Sequence, residues 1–403
     1  MMHVFVNGLG ANTASGLTYL RNVLPHLSRR EGACTTVAIN PRLRAEFGAL
    51  SKVYFAEVPE IAGAARRFWF EQTQLPALIR KTGAEALISA GNFALCKSPV
   101  PQILLSGNSL YTSEDFRHDL RSRGEYSMWL DTCARATVAK RSVRWADCTV
   151  APTQAFADEL QRWTGKAVVA IHHGFDPHLF FRDQSPLPAE AQQKLDSNQD
   201  AIRLLFVSHY NYFRNFETLF RAIPLLKQRL PGKKVRLFLT CRLQAGENPG
   251  EYKTRAAAAL VEQLGIREEV VELGSLPYRL LHHVYRVCDL YVTSSYAETF
   301  AHPLVEAMAS GLPVVASDLA VHREVCGNAA EYFPRFDSDT LARRAAKVLT
   351  ADDLRLSKIE RGRSQSLAFR WDKHVGMIAD LLSDIAANNR AIGRSRYCNQ
   401  SSE

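Results

Sequence analysis

At 403 residues, with 46% hydrophobic and 23% charged residues, the chain has the size of a two- or three-domain globular protein. That composition excludes collagen, low-complexity arrays and extensive disorder. The net charge of +9 admits nucleic acid, an anionic membrane surface or an anionic substrate as partner. No RNP-type aromatic motif, zinc-finger spacing or concentrated Lys/Arg run accompanies the surplus, so nucleic acid is the weaker of these.

The chain opens on an apolar run, His3–Asn7, that reads as a strand and leaves no room for a signal peptide. Gly8-Leu9-Gly10-Ala11-Asn12-Thr13-Ala14-Ser15-Gly16 and an amphipathic helix, Leu17–Leu27, follow. A G-x-G-x-x-G fingerprint fails at Thr13, which argues against a dinucleotide site there. Thr35–Asn40 and Ala86–Ser89 read as further strands, with Trp69–Lys81 as a helix between them. Arg66-Arg67-Phe68-Trp69-Phe70 combines cations and aromatics, a pattern that suits a membrane surface or a lipid-linked ligand. The favoured reading is a helix start with its aromatics in the core. Gln102–Ser106 is the next strand, leading to Asn108; His118 belongs to a surface helix.

Val168–His172 closes the first set of strands, and Pro186–Gln199 has a linker's composition. A second set begins at Arg203–His209. Eight cysteines lie scattered without a C-x-x-C pair and read as reduced thiols. His172-His173 lacks a visible third metal ligand. Asp337-Ser338-Asp339 precedes the helix Thr340–Leu349, where capping explains it better than a metal. No run reaches the ~18 apolar residues of a membrane span.

The densest signal is Ser294–Ser317. Glu298 and Glu306 have seven residues between them, after a strand-like run and around a loop. Pro303 suits a first helical turn, Gly311 a helix end, and Pro313–Ala316 the next strand. Between the carboxylates, the first N–H groups of the helix lack intrahelical partners and can take an anion. Such a unit suits a ligand bearing both hydroxyls and phosphate.

Glu298-Thr299-Phe300-Ala301-His302-Pro303-Leu304-Val305-Glu306 resembles the donor-site motif of the retaining glycosyltransferases of family four. The resemblance implies the GT-B fold, an α/β architecture of two Rossmann-like domains with a C-terminal helix returning to the first. Expected boundaries are 1–185 for the acceptor-side domain, 186–200 for the linker and 201–370 for the donor domain. A crossover helix, 371–388, and a polar tail, 389–403, complete the chain. The implied reaction is retaining transfer from a UDP-, GDP- or ADP-linked sugar to an acceptor hydroxyl, in bacterial-type glycan, glycolipid or polysaccharide synthesis. Acceptors of carbohydrate, lipid-linked or small-molecule type all remain open.

By the same resemblance, Glu306 takes the ribose hydroxyls and Glu298 orients the donor sugar. Arg214, in Arg214-Asn215, and the backbone from Ala301 to Val305 hold the pyrophosphate, with His302 assisting. Gly274-Ser275-Leu276-Pro277 lies against the base, and Ser208-His209 replaces the family's usual Gly-Arg or Gly-Thr. Gly10 and Gly16 border the cleft, and Asn108 stands where many members carry histidine. No permanently bound cofactor and no metal are implied. The expected location is cytoplasmic, with contact at the inner membrane face left open by Arg66–Phe70. The rivals are an epimerase or phosphorylase on the same fold, or a non-catalytic binding member.

Overall fold

The computed structural model describes residues 2–11, 14–247 and 252–400. Asn12 and Thr13, which include the position of the failed third glycine, lie outside the described residues, as do Ser401–Glu403.

The chain divides into two compact units, each interrupted in sequence: Met1–Thr112, Tyr126–Gly174 and Arg370–Glu403 in the first, Ser113–Glu125 and Phe175–Phe369 in the second. The first unit holds strands β1 (Met2–Asn7), β2 (Ala33–Ala38), β3 (Val53–Phe55), β4 (Ala86–Ser89), β5 (Gln102–Leu105), β6 (Cys148–Ala151) and β7 (Val169–Ala170). They form one sheet in the order β3-β2-β1-β4-β5-β6-β7, every pair parallel. The second unit holds β8 (Ile202–Phe206), β9 (Val235–Leu239), β10 (Val270–Glu272), β11 (Leu290–Thr293), β12 (Val314–Ser317) and β13 (Ala330–Phe333). Their order is β10-β9-β8-β11-β12-β13, again all parallel.

Parallel strands need crossover helices, so both faces of each sheet are covered and the strands become almost wholly apolar. Leu204, Leu205 and Phe206 of β8 and Val314 and Val315 of β12 are all buried. In each sheet the order reverses once, between β1 and β4 and between β8 and β11. There the crossovers leave to opposite faces and open a crevice at the carboxyl ends of the strands, where ligands of open α/β sheets bind.

The structure departs from the expected elements in four places. The helix expected over Trp69–Lys81 is two, Ala64–Thr73 and Leu75–Thr82, because a proline in the first turn of the second starts a new helix. Trp69 is not in the core; it is 64% exposed. The linker composition at 186–200 contains a helix, Ala189–Asp196, whose Ala191 and Leu195 are buried within the second unit. The final helix runs Trp371–Gln400, through most of the stretch read as a polar tail. It lies in the first unit, where its His374 binds the Tyr19 hydroxyl at 2.9 Å and the His172 carbonyl at 2.9 Å. His173 stacks on Trp371 at 5.6 Å, while His172 before it is exposed and lends its carbonyl to His374.

Candidate active site at the carboxyl edge of the second sheet

At the β8/β11 reversal two loops become neighbours. The loop after β8 carries His209 and ends in the short turn Tyr212–Arg214. The next residue, Asn215, sits in the left-handed region at φ 54° and caps the helix Phe216–Arg229 by accepting from the Thr218 N–H at 3.4 Å. Asparagine tolerates that conformation better than most residues. The loop after β11 runs from Ser294 to Ala301. Ser294 Oγ lies 3.0 Å from the Arg214 carbonyl oxygen and 2.8 Å from that of Asn215, and the Tyr296 N–H donates to the Phe213 carbonyl at 2.9 Å.

This stitching brings Arg214 and Glu298 into a direct ion pair, with side chains only 21% and 9% exposed. Arg214 also reaches Ser295 Oγ at 3.3 Å and lies 5.0 Å from the Phe213 ring centroid. Burial pulls its pKa below the ordinary arginine value, yet nothing approaches deprotonation at neutral pH. Its Nε is buried without a hydrogen-bond partner, a polar group that a bound anion would satisfy. His209, half-buried, has its pKa lowered by burial and by the nearby Arg214 charge.

The second glutamate is held differently. Ala301 adopts φ 63° and ψ 63°, a strained left-handed conformation for a residue with a Cβ, and starts the helix His302–Ala309. Strain of this kind collects where a loop must be aimed. Glu306 is 3% exposed; the Tyr285 hydroxyl donates to it at 2.9 Å, and Tyr278 is a second hydrogen-bond donor. Burial nevertheless outweighs both donors and lifts its pKa to about 7. Tyr278 follows the Gly274–Pro277 turn, so the half-buried Leu276 sits in the loop that reaches Glu306. Burial lowers the His302 pKa to about 4, so its imidazole is neutral at physiological pH and can act as a hydrogen-bonding group but not as a cation. It packs edge-on to Phe300 at 4.8 Å.

Two expectations narrow. Of the backbone from Ala301 to Val305, Pro303 has no N–H, and the Leu304 N–H already donates to the Ala301 carbonyl at 3.0 Å. Asn108 belongs to the first unit, where its Oδ1 accepts from the Leu110 N–H at 3.0 Å and caps the turn Ser109–Tyr111. Its carbonyl oxygen is thus engaged locally. Gly10 and Gly16 also lie in the first unit. A Cβ on Gly10 would stand 3.0 Å from the Gly91 Cα, and one on Gly16 2.8 Å from the Ala11 Cα, so both glycines allow close backbone packing at the β1/β4 reversal. Asp337 caps its helix by accepting from the Thr340 N–H at 2.9 Å.

Sequence reasoning passed over three features. Tyr285 and Tyr278 are ordinary helix and turn residues until the fold aims them at Glu306. Helix Glu114–Ser122, from the first half of the chain, joins the second unit. In the first unit Glu71 is 4% exposed, hydrogen-bonded to Asn7 at the end of β1 and 3.6 Å from Arg67 Nε; burial raises its pKa to about 7. The only sequence hint of the last was a glutamate in a helical run of aromatics. Among the described residues no cluster of three or more His, Cys, Asp or Glu could hold a metal, and no helix is long and apolar enough to cross a membrane.

Residues 189–365 match the family described as Glycosyl transferases group 1. Over 238 residues the chain is 27% identical to D-inositol 3-phosphate glycosyltransferase of Corynebacterium glutamicum (strain R), covering 57% of this chain and 54% of that protein. Over 206 residues it is 27% identical to putative glycosyltransferase EpsD of Bacillus subtilis (strain 168), covering 50% and 51%. The chain thus spans little more than half the length of the curated relatives it matches. Two solved structures share the fold almost throughout. Sucrose-phosphate synthase from Thermosynechococcus elongatus superposes with a TM-score of 0.74 at 18% identity, covering 96% of this chain and 100% of that one. Anabaena Alr3699/HepE in complex with UDP-glucose gives 0.69 at 17% identity, covering 95% and 100%. The architecture is GT-B.

Proposed function

From a chain whose residues 189–365 are a glycosyl transferases group 1 domain, we propose an enzyme that transfers a glycosyl unit from a nucleotide-diphosphate sugar to an acceptor hydroxyl, with retention at the anomeric carbon. The observation that carries this reading is the second unit's carboxyl edge. There a buried Arg214–Glu298 pair and a buried, tyrosine-held Glu306 flank one strained helix start.

The three groups suit the three parts of such a donor. Glu306 offers a carboxyl group to ribose hydroxyls; donors arriving there would favour its ionised form and reverse the upward shift that burial imposes. Arg214 has a buried Nε still to satisfy and presents a guanidinium to the pyrophosphate, whose leaving charge must be stabilised as the glycosidic bond breaks. Glu298, released in part from Arg214 by that contact, would accept from sugar hydroxyls and fix the donor's pose. Neutral His302 adds a hydrogen-bonding group without adding charge. No carboxylate of the set is called on as a covalent nucleophile, so attack on the donor's front face, beside the departing pyrophosphate, accounts for retention. A complex of HepE with UDP-glucose supports a donor of this class. The inositol phosphate named for the relatives supports a small polyhydroxylated acceptor. Synthesis of a bacterial-type glycan, glycolipid or polysaccharide, in the cytoplasm or at its membrane face, fits both.

Because a ligand that binds only the native state raises its stability, thermal shifts with UDP-, GDP- and ADP-sugars test the donor directly. One of the three should raise the melting temperature of the wild type and leave that of Glu306→Ala unchanged. No shift with any of them, or equal shifts in both proteins, overturns the reading.

A further inference from the structure

The segment Ser113–Glu125 belongs to the second unit although Thr112 before it and Tyr126 after it belong to the first. It also lies outside the stretch matched by the family, residues 189–365. Its helix, Glu114–Ser122, is well specified locally. Ser113 caps it by accepting from the Phe116 N–H at 3.1 Å, and Glu114 and Asp115 suit the positive end of the helix dipole. Phe116 and Leu120 are buried along one face, and Phe116 meets Phe213 edge-on at 6.2 Å.

The polar groups of this segment converge on the two loops that hold Arg214 and Glu298. The Tyr296 hydroxyl donates to Asp119 Oδ2 at 2.7 Å, and Arg123 Nε donates to Asp119 Oδ1 at 2.8 Å. Arg123 Nη1 continues to Glu217 Oε1 at 2.8 Å, and its guanidinium lies 4.4 Å from the Tyr212 ring centroid. Glu125 accepts from the Tyr212 hydroxyl at 3.1 Å and pairs with Lys253 at 2.8 Å. Tyr296 is 4% exposed and sits two residues before Glu298; Phe213 immediately precedes Arg214.

Resting on the transfer reaction proposed above, we infer that Asp119 is a positioning residue: through the Tyr296 hydroxyl it fixes the loop that aims Glu298 at Arg214. The physical case is that one buried phenol has one strong acceptor. A carboxylate accepting at 2.7 Å forms a charge-assisted bond, and Asp119 is itself oriented by Arg123, so the phenol's direction is over-determined. Packing through Phe300 and the Tyr296–Phe213 backbone bond hold the loop in place; the Asp119 bond sets its rotation. An element from outside the donor domain's own stretch of sequence therefore tunes the donor pair.

The test compares wild type, Asp119→Asn, Tyr296→Phe, the double variant and Arg335→Gln. The last breaks only the ion pair of Arg335 with Asp115 on the same helix. The donor is whichever of UDP-, GDP- or ADP-glucose shifts the melting temperature most, with nucleotide release as the measure of turnover. Each of the first two variants should lower kcat about tenfold while the donor KM stays within about twofold, since misplacing a reacting pair costs rate before binding. The double variant should be no worse than either single one, and Arg335→Gln should keep wild-type kcat. Tyr296→Phe removes one oxygen and keeps the ring, so it remains informative where Asp119→Asn folds poorly. Wild-type kcat in Tyr296→Phe, or losses that multiply in the double variant, would sink the positioning role while leaving the transfer reading intact. A wild type that neither binds nor turns over any of the three sugars removes both.

Discussion

The two sheets are close copies in architecture, yet their carboxyl edges are built in opposite ways. At the β8/β11 reversal both glutamates come from one contiguous stretch, Glu298 and Glu306 with seven residues between them, while Arg214, Tyr278 and Tyr285 reach them from elsewhere. At the β1/β4 reversal the buried Glu71 has Arg67 one turn earlier on its own helix, and its hydrogen-bond partner Asn7 comes from a strand end more than sixty residues away. Both edges bury a glutamate whose pKa rises to about 7 for the same reason, loss of hydration. Only one of them writes itself as a motif. A contiguous site leaves a spacing in the sequence; a site assembled across elements leaves none. Charge divides the units too: by formal count the first carries +8 and the second +1 of the chain's +9. The basic surplus therefore does not gather in the second unit, and under the proposed reading a phosphate there would rely on Arg214 and backbone donors.

The comparison breaks most readily at Arg214. Arg214→Ala should lower kcat by about 10²–10³, the usual loss for one preorganised charge-stabilising donor, and also lower the melting temperature because Glu298 loses its buried partner; steady-state nucleotide release on the folded fraction measures the first effect. A loss under about threefold would make the second edge no more functional than the first. Next comes Glu306→Ala, expected to weaken donor binding about ten- to a hundredfold by titration, because two hydroxyl partners are lost with the carboxylate. Glu71→Gln in the same titration should leave donor affinity unchanged.

The third prediction treats the two glutamates alike. Each pKa rises from 4.5 to about 7 on folding, so the folded chain binds the proton more tightly than the unfolded one. Stability contributed this way is complete below about pH 4.5, falls as pH rises towards 7 and is flat above it, a loss of up to about 3 kcal/mol per group. Glu71→Gln and Glu306→Gln should each flatten that slope and raise stability at about pH 8 by about 1–2 kcal/mol in denaturant titrations without ligand. If Glu306→Gln stabilises and Glu71→Gln destabilises, Glu71 holds the first unit together in its charged form, and the likeness ends there. The smallest effect is expected from Asn108→Ala. Losing its turn cap should cost about 1 kcal/mol of stability and leave donor affinity unaltered.

Much of the donor edge was legible because local chemistry dictates it. Proline at the helix start, glycine after its end and apolar runs on either side place Glu298 in a loop and Glu306 on the first helical turns. Strand limits moved by a residue or two, as at Ala33–Ala38, expected over Thr35–Asn40. Trp69 was misplaced because an aromatic run carries no information on which side of a helix meets the core until the sheet is there to cover it.

By itself the sequence determined that two sets of parallel strands alternate with helices, and that one short stretch carries paired carboxylates around a helix start. It could do so because hydrophobic period, caps and breakers act over a few residues. Tertiary structure decided what those carboxylates touch. It supplied Tyr285 and Tyr278 to Glu306, turned Arg214 onto Glu298, and brought Asp119 to Tyr296 across 177 residues of chain. Those choices depend on strand order and on which faces must be buried, and no window of sequence contains either.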